Sequence, residues 1–218
     1  IDQGGRRGRV WGIARVKGGF EPLHHICLVG AGMHRIRIPV DPGPDSPPPR
    51  QLDPPDQARW SRTIGALGGE AAWRRLVGLK IALVGCGRVG SLAAGSLARL
   101  GIQWLTLIDP DVVELHNLGE MDLVTDGDIG RPKVEAVTDR LRFWCRFPLS
   151  LQPVVASVTH PTAVAEAKAS DVLFSCTDDD AARLATGILA TLYHKVLVDI
   201  GTGIFYRNAP VKQPEGSL

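Results

Sequence analysis

Two kinds of residue in this chain could do chemistry together: glycines that expose backbone N–H groups, and carboxylates placed at the ends of apolar runs. The run 81–84 enters Gly85-Cys86-Gly87-Arg88-Val89-Gly90, a helical pattern follows, and a second apolar run ends at Asp109. Gly85 and Gly87 permit a tight turn and close approach of the backbone to a phosphate. Gly90 permits a helix to pack hard on a strand. The N–H groups of the helix start supply an anion site, and Asp109 is placed to hold ribose hydroxyls. The spacing predicts the first half of a nucleotide-binding α/β unit. Asp109 follows Gly85 by 24 positions, which suits NAD as well as ATP, so one reading of this segment alone is a nicotinamide-dependent dehydrogenase.

The elements that must position these groups can be read from periodicity. Residues 55–77 read as one helix carrying Arg59, Arg62, Trp73, Arg74 and Arg75. From Leu79 onward, strands and helices alternate. Val89, Leu92, Ala93, Leu97 and Leu100 form one apolar stripe at helical spacing, and Val134, Val137, Leu141 and Trp144 form a second. Pro132 suits the first turn of that second helix. Runs 151–158, 172–175 and 196–200 read as strands. Residues 161–169 and 181–193 read as helices, the latter with Leu184, Ile188 and Leu192 facing inward. Such alternation predicts an α/β fold, a Rossmann-like three-layer sandwich around a mainly parallel sheet with right-handed crossovers. A different region precedes it. Short β-type runs at 10–16, 23–29 and 33–40 are punctuated by Gly18-Gly19 and Gly30-Ala31-Gly32. Residues 41–55, DPGPDSPPPRQLDPP, are too rich in proline for a helix or a central strand and read as an extended linker. The expected organisation is a partial β-rich accessory domain at 1–40, a linker at 41–55, and the α/β domain at 56–218, ending short of a complete one.

Beyond the glycine loop, four further ordered blocks stand in the chain: Arg59-Trp60-Ser61-Arg62, Ile108-Asp109-Pro110-Asp111 with His116-Asn117-Leu118, Asp128-Ile129-Gly130-Arg131-Pro132-Lys133, and Cys176-Thr177-Asp178-Asp179-Asp180. A dehydrogenase has no use for the last two. Together the blocks resemble the ThiF/MoeB/HesA family of ubiquitin-activating-type adenylyltransferases, over roughly two thirds of the chain. The resemblance implies an enzyme that uses ATP and Mg²⁺ to adenylate the C-terminal carboxylate of a small ubiquitin-like or sulfur-carrier protein. It implies Asp178 as the magnesium-organising, catalytically essential acid. A hard cation suits a carboxylate at a strand's C-terminal edge, where the nucleotide also lies. Asp179 and Asp180 are assigned to the start of the next helix. The resemblance places Lys133 on the phosphates, and a cation in a helix's first turn is poor dipole chemistry unless an anion binds there. With Gly85, Gly87, Arg88 and Gly90, it gives Asp109, Asp111 and Asn117 to the nucleotide. Arg62 resembles the arginine that reaches across a dimer to the partner's ATP phosphates, so a homodimer or heterodimer is expected.

Two positions depart from the family pattern. Arg88 stands where a small residue is usual, and Glu120, three residues after Asn117, stands where an arginine is usual. An acid facing the triphosphate favours a second reading, a non-catalytic partner subunit, unless Arg88 restores the lost charge or pairs with Glu120. A relative that activates a carboxylate on a tRNA base is a further possibility.

Bulk properties narrow the field. Formal charge is +2, from 25 basic and 23 acidic residues among 218. That balance argues against a dedicated nucleic-acid surface or an acidic-membrane patch, and no apolar run reaches the ~18 residues of a membrane span. Cys27, Cys86, Cys145 and Cys176 are widely spread with no CxxC pair. They read as reduced thiols of a cytoplasmic protein with no structural zinc and no transfer cysteine. His24, His25 and His34 lack an acidic partner at ligand-like spacing and read as loop or strand-surface histidines. No signal-peptide pattern is expected at the start, and the opening Ile1 suggests a fragment.

Overall fold

The computed structural model describes the backbone of residues 13–16, 19–22, 25–29, 33–37 and 54–201, and the side chains of 58–201. The chain divides into two compact units, Ile1–Pro55 and Asp56–Leu218.

The described residues of the first unit form two hairpins. Strand β1 (Ile13–Val16) pairs antiparallel with β2 (Gly19–Pro22), and β3 (His25–Val29) with β4 (Met33–Arg37). Sequence reading expected three strands. It missed β2 because Gly19 and Pro22 at its ends are the residues normally taken as breaks; at strand ends neither disrupts a ladder. The expected linker falls on residues 41–55, of which 41–53 lie outside the described residues.

The second unit holds helices α1 (Pro54–Ala66) and α2 (Glu70–Val77), then strand β5 (Lys80–Val84), α3 (Arg88–Leu100), β6 (Trp104–Ile108) and α4 (Lys133–Trp144). Strand β7 (Ser150–Val154), α5 (Pro161–Ala169), β8 (Val172–Ser175), α6 (Asp180–Leu192) and β9 (Val196–Asp199) complete it. The five strands are all parallel, in the order β7-β6-β5-β8-β9. From β5 the chain winds outward through β6 and β7, then returns to lay β8 on the other side of β5. The connections after β5 and β8 therefore leave in opposite directions, and a crevice opens between them at the C-terminal edge of the sheet.

Alternation along β5 builds the two cores. Ile81 and Leu83 join Leu105, Leu107, Leu97, Val134, Val137 and Leu141 under α3 and α4. Ala82 and Val84 join Ile108, Val154, Leu173, Ala163, Ala167 and Leu189 under α5 and α6. This is the three-layer Rossmann-like architecture that the strand–helix alternation predicted. Each fully buried Leu or Ile in these layers contributes on the order of 2 kcal/mol.

Four details differ from expectation. The single helix expected at 55–77 is two helices, because Gly68 (φ 79°) and Gly69 (φ 126°) turn the chain through left-handed backbone after Ala66. The buried face of α3 is mostly small: Gly90, Ser91, Ala94, Gly95 and Ala98 with Leu97, while Leu92 points to solvent. Hydrophobicity favoured the large residues, but close helix–sheet approach needed small ones. On α6 the expected inward stripe is reversed. Leu184, Ile188 and Leu192 are exposed, and Thr186, Leu189 and Ala190 are buried. Pro132 is the residue just before α4 rather than in its first turn.

The two tryptophans of α1 and α2 fix these helices to the far end of α3. Trp60 Nε1 donates to the Arg99 carbonyl (2.8 Å) and Trp73 Nε1 to the Leu100 carbonyl (3.1 Å), satisfying carbonyls that the helix end leaves without partners. Among the described residues no helix is long and apolar enough to cross a membrane.

Candidate functional site

The crevice is built first by backbone. Gly85 has φ +90°, and a Cβ there would meet Thr177 N at 2.8 Å, so only glycine lets the loop after β5 lie against the loop after β8. A Cβ on Gly90 would stand 1.8 Å from the Gly85 carbonyl oxygen, which sets how closely α3 approaches its own loop. Gly87 is different. Its φ is negative and nothing lies within 4 Å of where its Cβ would be. No side chain caps α3, so its first-turn N–H groups face the open space beside Gly87.

Asp109 is 5% exposed and holds this loop in place. Its Oδ2 accepts from the Cys86 N–H (2.6 Å) and its Oδ1 from the Asp111 N–H (2.8 Å). Burial pushes its pKa up; the two N–H bonds and the Lys133 charge pull the other way without overcoming it. The carboxylate thus spends one lone pair per oxygen on the loop and keeps others for a ligand.

Lys133 opens α4 and is nearly covered, with a side chain 12% exposed. Its ammonium donates to Asp111 Oδ2 (2.9 Å), and its N–H donates to the Asp111 carbonyl (2.9 Å). Burial opposes its charge most, but the Asp111 bond and the charges of Asp109, Asp111 and Asp178 outweigh burial and raise its pKa. Lys133 therefore has carboxylate partners in this position, not only an unfavourable helix dipole. Asp109, Asp111, Lys133 and Asp178 come together from three separate stretches of sequence.

A network that sequence reading passed over holds Lys133 there. Asp128 is buried and accepts from the Thr125 N–H and hydroxyl (both 2.9 Å) and from Arg131 Nη1 (2.8 Å). Arg131 also donates to Asp139 (2.6 Å). The Gly130 N–H donates to the Val113 carbonyl and the Val113 N–H to the Arg131 carbonyl (both 2.8 Å), locking this loop beside Asp111. Burial would raise the Asp128 pKa, but Thr125 and Arg131 more than offset it, and the carboxyl titrates below its ordinary value. The pattern Thr125-x-x-Asp128 was the available signal, a side chain closing its own turn. A second tie is the buried Ser91 hydroxyl, which accepts from the Asp122 N–H (3.0 Å).

Asn117 is buried on a single helical turn, Leu115–Gly119, and its Oδ1 accepts from the Glu114 N–H (2.9 Å). At least half of that side chain is therefore structural. Glu120 ends the turn and is exposed, as is Arg88 at the start of α3. Among the described residues no ion pair joins them, so the suggested Arg88–Glu120 pairing is not formed.

The other wall is open. Asp178 is exposed and makes no hydrogen bond or ion pair among the described residues; its charge is felt by Lys133. Asp179 caps α6, accepting from the Ala181 and Ala182 N–H groups (3.3 and 2.9 Å), and Asp180 begins the helix. Arg183 and Asp199 pair at 2.8 Å beside it, a contact the sequence did not suggest because β9 brings it from 16 residues away. The Cys176 thiol is pushed up to about 11, by burial and then by Asp199, and the Cys86 thiol is raised by burial, Asp109 and Cys176. Neither is a thiolate nucleophile at neutral pH. Among the described residues no cluster of three or more His, Cys, Asp or Glu could hold a metal by itself. Arg62 lies on α1, exposed, two residues from Trp60 and so near the far end of α3. That helix of 13 residues spans roughly 19 Å from the glycine loop.

Comparison with known proteins places the chain in a family. Residues 60–211 match the ThiF family. The chain is 35% identical over 104 residues to the molybdopterin-synthase adenylyltransferase of Escherichia coli (strain K12), covering 48% of this chain and 41% of that protein. It is 32% identical over 130 residues to the SAMP-activating enzyme E1 of Haloferax volcanii, covering 59% and 47%. The chain thus spans under half the length of these curated relatives. Among solved structures, E. coli tRNA N6-threonylcarbamoyladenosine dehydratase in complex with ATP superposes with a TM-score of 0.61 at 27% identity, covering 69% of this chain and 61% of that one. This chain belongs to the ThiF family.

Proposed function

We propose that the crevice between β5 and β8 binds ATP and transfers its adenylyl group to a carboxylate. The observation that carries this reading is the convergence of the uncapped α3 start, Asp109, Lys133 and Asp178 at the point where the strand order reverses. The carboxylate oxygen attacks the α-phosphorus, the bond to the β-phosphate oxygen breaks, and acyl-adenylate and pyrophosphate result.

In this reading the α3 N–H groups and Arg88 cradle the phosphates, Gly87 leaves room for them, and the free lone pairs of Asp109 accept from ribose hydroxyls. Asn117 contacts the nucleotide with whatever its Glu114 bond leaves free. The Lys133 ammonium exchanges its Asp111 carboxylate contact for a phosphate oxygen and steadies the growing negative charge, while its backbone bond to the Asp111 carbonyl keeps the residue in place. Asp178 fits Mg²⁺ in one way: as a single unengaged carboxylate sharing a cation with substrate phosphates and water, not as part of a protein cage. Mg²⁺ would neutralise the departing pyrophosphate. Arg62, fixed near the far end of α3, is offered to a second subunit's phosphates, so the working form is a dimer with shared sites.

The acceptor we favour is the C-terminal carboxylate of a small ubiquitin-like or sulfur-carrier protein, the substrate class suggested by the names of the adenylyltransferase relatives. A second reading is a carboxylate on tRNA, for which the structural neighbour that acts on tRNA speaks. ATP–pyrophosphate exchange separates these: a small protein ending in Gly-Gly should stimulate it and tRNA should not. Exchange that appears only when a homologous partner chain is added would instead identify this chain as a non-catalytic subunit, the reading that Glu120 favours. Mixing Arg62→Ala and Asp178→Ala chains should restore part of the activity, since one composite site would be whole. No restoration, with full activity in Arg62→Ala alone, would rule out shared sites.

A further inference from the structure

At the far end of α3 and α4, away from the crevice, the surface changes character. Gly95, Ala98, Leu141 and Cys145 line an open cavity of about 300 Å³, with Arg99, Trp144 and Phe147 around it. The Arg99 guanidinium lies over the Trp144 ring, 5.4 Å from its centroid. Trp144 is nevertheless 46% exposed, and Phe143 beside it is 71% exposed. Arg59 lies over the Phe147 ring, 5.5 Å from its centroid, and Arg146, between Cys145 and Phe147 in sequence, is exposed. The acid in this stretch, Asp139, is already engaged with Arg131 and Arg142. Arg59, Arg99 and Arg146 put three positive charges beside these rings, against a formal charge of +2 for the whole chain. The overall balance that argued against a nucleic-acid surface is therefore an average over an uneven distribution.

An exposed tryptophan costs solvation, and a guanidinium held flat above it presents a second planar surface. The cavity is at the small end of the range that holds organic ligands, enough for one flat ring system rather than a large side-chain cluster. Flat π-faces interleaved with cations are complementary to unpaired bases joined by phosphates. We propose that this patch binds single-stranded RNA: one base stacks on Trp144 at the cavity mouth, and Arg59, Arg99 and Arg146 hold the adjoining phosphates. The proposal goes beyond adenylation and needs no ATP, so it stands or falls separately from the reading of the crevice.

The test is fluorescence anisotropy of a labelled single-stranded oligouridylate with the full chain, without ATP. Uridylate avoids any preference of the crevice for adenine, and excess ATP should leave the complex intact. Trp144→Ala should weaken binding about tenfold, within the range of one lost base stack, and Trp144→Phe should keep most of the affinity. Arg146→Gln removes an exposed side chain with no partner among the described residues, so folding is not at stake. It should lower the slope of log affinity against log salt by about 0.7. Duplex RNA should bind more weakly. Unchanged affinity in both Trp144→Ala and Arg146→Gln would overturn the proposal. So would displacement by ATP, or polyglutamate binding as tightly as RNA, which would point to an acidic protein segment instead.

Discussion

The two walls of the crevice are made differently. On the β5–β6 side the covered charged groups are tied down: Asp109 to two backbone N–H groups, Lys133 to Asp111, Asp128 to Thr125 and Arg131. On the β8–β9 side Asp178 is exposed and unengaged, β9 is largely exposed, and α6 turns Leu184 (67%) and Leu192 (64%) to solvent. The difference teaches where precision is needed. Phosphate and ribose must be held to fractions of an ångström, which takes burial and interlocking bonds. In the proposed reading Asp178 meets a metal and an incoming chain, which requires it to remain accessible.

The largest test of this contrast uses glycine on both sides. Gly90→Ala forces a Cβ against the Gly85 carbonyl, which is backbone and cannot rotate away. It should cost about 3 kcal/mol, lowering the melting temperature by roughly 10 °C in a chain of this size. Gly187, inside α6, has nothing within 4 Å of its Cβ position. Gly187→Ala should be neutral or stabilise by up to about 1 kcal/mol. Thermal denaturation of the two variants reads both; equal losses would erase the distinction between the walls.

Next comes Asp128. Asp128→Ala leaves the Thr125 and Arg131 donors unpaired and should cost about 2 kcal/mol in urea unfolding, whereas Asp179→Ala, which removes an exposed helix cap, should cost about 1. The pH dependence has a definite sign. The Asp128 carboxyl titrates below 3.8 when folded, so its contribution is complete above that value. It is lost as pH falls through the folded pKa. The wild type and Asp128→Ala should therefore converge in stability as pH drops below about 4. A constant gap down to acid pH would mean the side chain acts through packing alone.

Smaller still is the effect of charge at the mouth. Arg88 and Glu120 are both exposed, so solvent screens them and each should change ATP affinity by only about three- to tenfold. Calorimetry should show Arg88→Ala weakening ATP and Glu120→Arg strengthening it, with the double variant near the additive sum because the two side chains do not pair. Strong non-additivity would restore the direct coupling that the structure lacks. On α6, Leu184→Lys should alter stability by less than about 0.5 kcal/mol, since nothing is packed on that side chain.

How much of this was legible in the residues follows the same division. Glycine loops and strand-end carboxylates are visible because their chemistry needs particular residues at particular spacings. The five parallel strands and the helix at 161–169 were legible from period and punctuation. The Asp128–Arg131–Asp139 lock was not: Asp128 and Arg131 stood in a recognisable block, but its spacing did not show that they pair with each other and with Asp139. The α6 face failed for another reason. Leucines at 184, 188 and 192 have perfect helical spacing, but the sheet there needed Ala190 and Thr186, small enough to sit close, and the larger residues went outward. Period locates a stripe; the room beneath the helix decides which stripe is buried.

The account's central claim is that the fixed wall binds the nucleotide and the open wall supplies the chemistry. ATP–pyrophosphate exchange, measured with a small protein ending in Gly-Gly beside equilibrium ATP binding in a folded Asp178→Ala chain, tests it most directly. The account predicts that ATP binding persists while exchange falls by at least a hundredfold, about 3 kcal/mol of transition-state stabilisation. Exchange at the wild-type rate in that variant would contradict it.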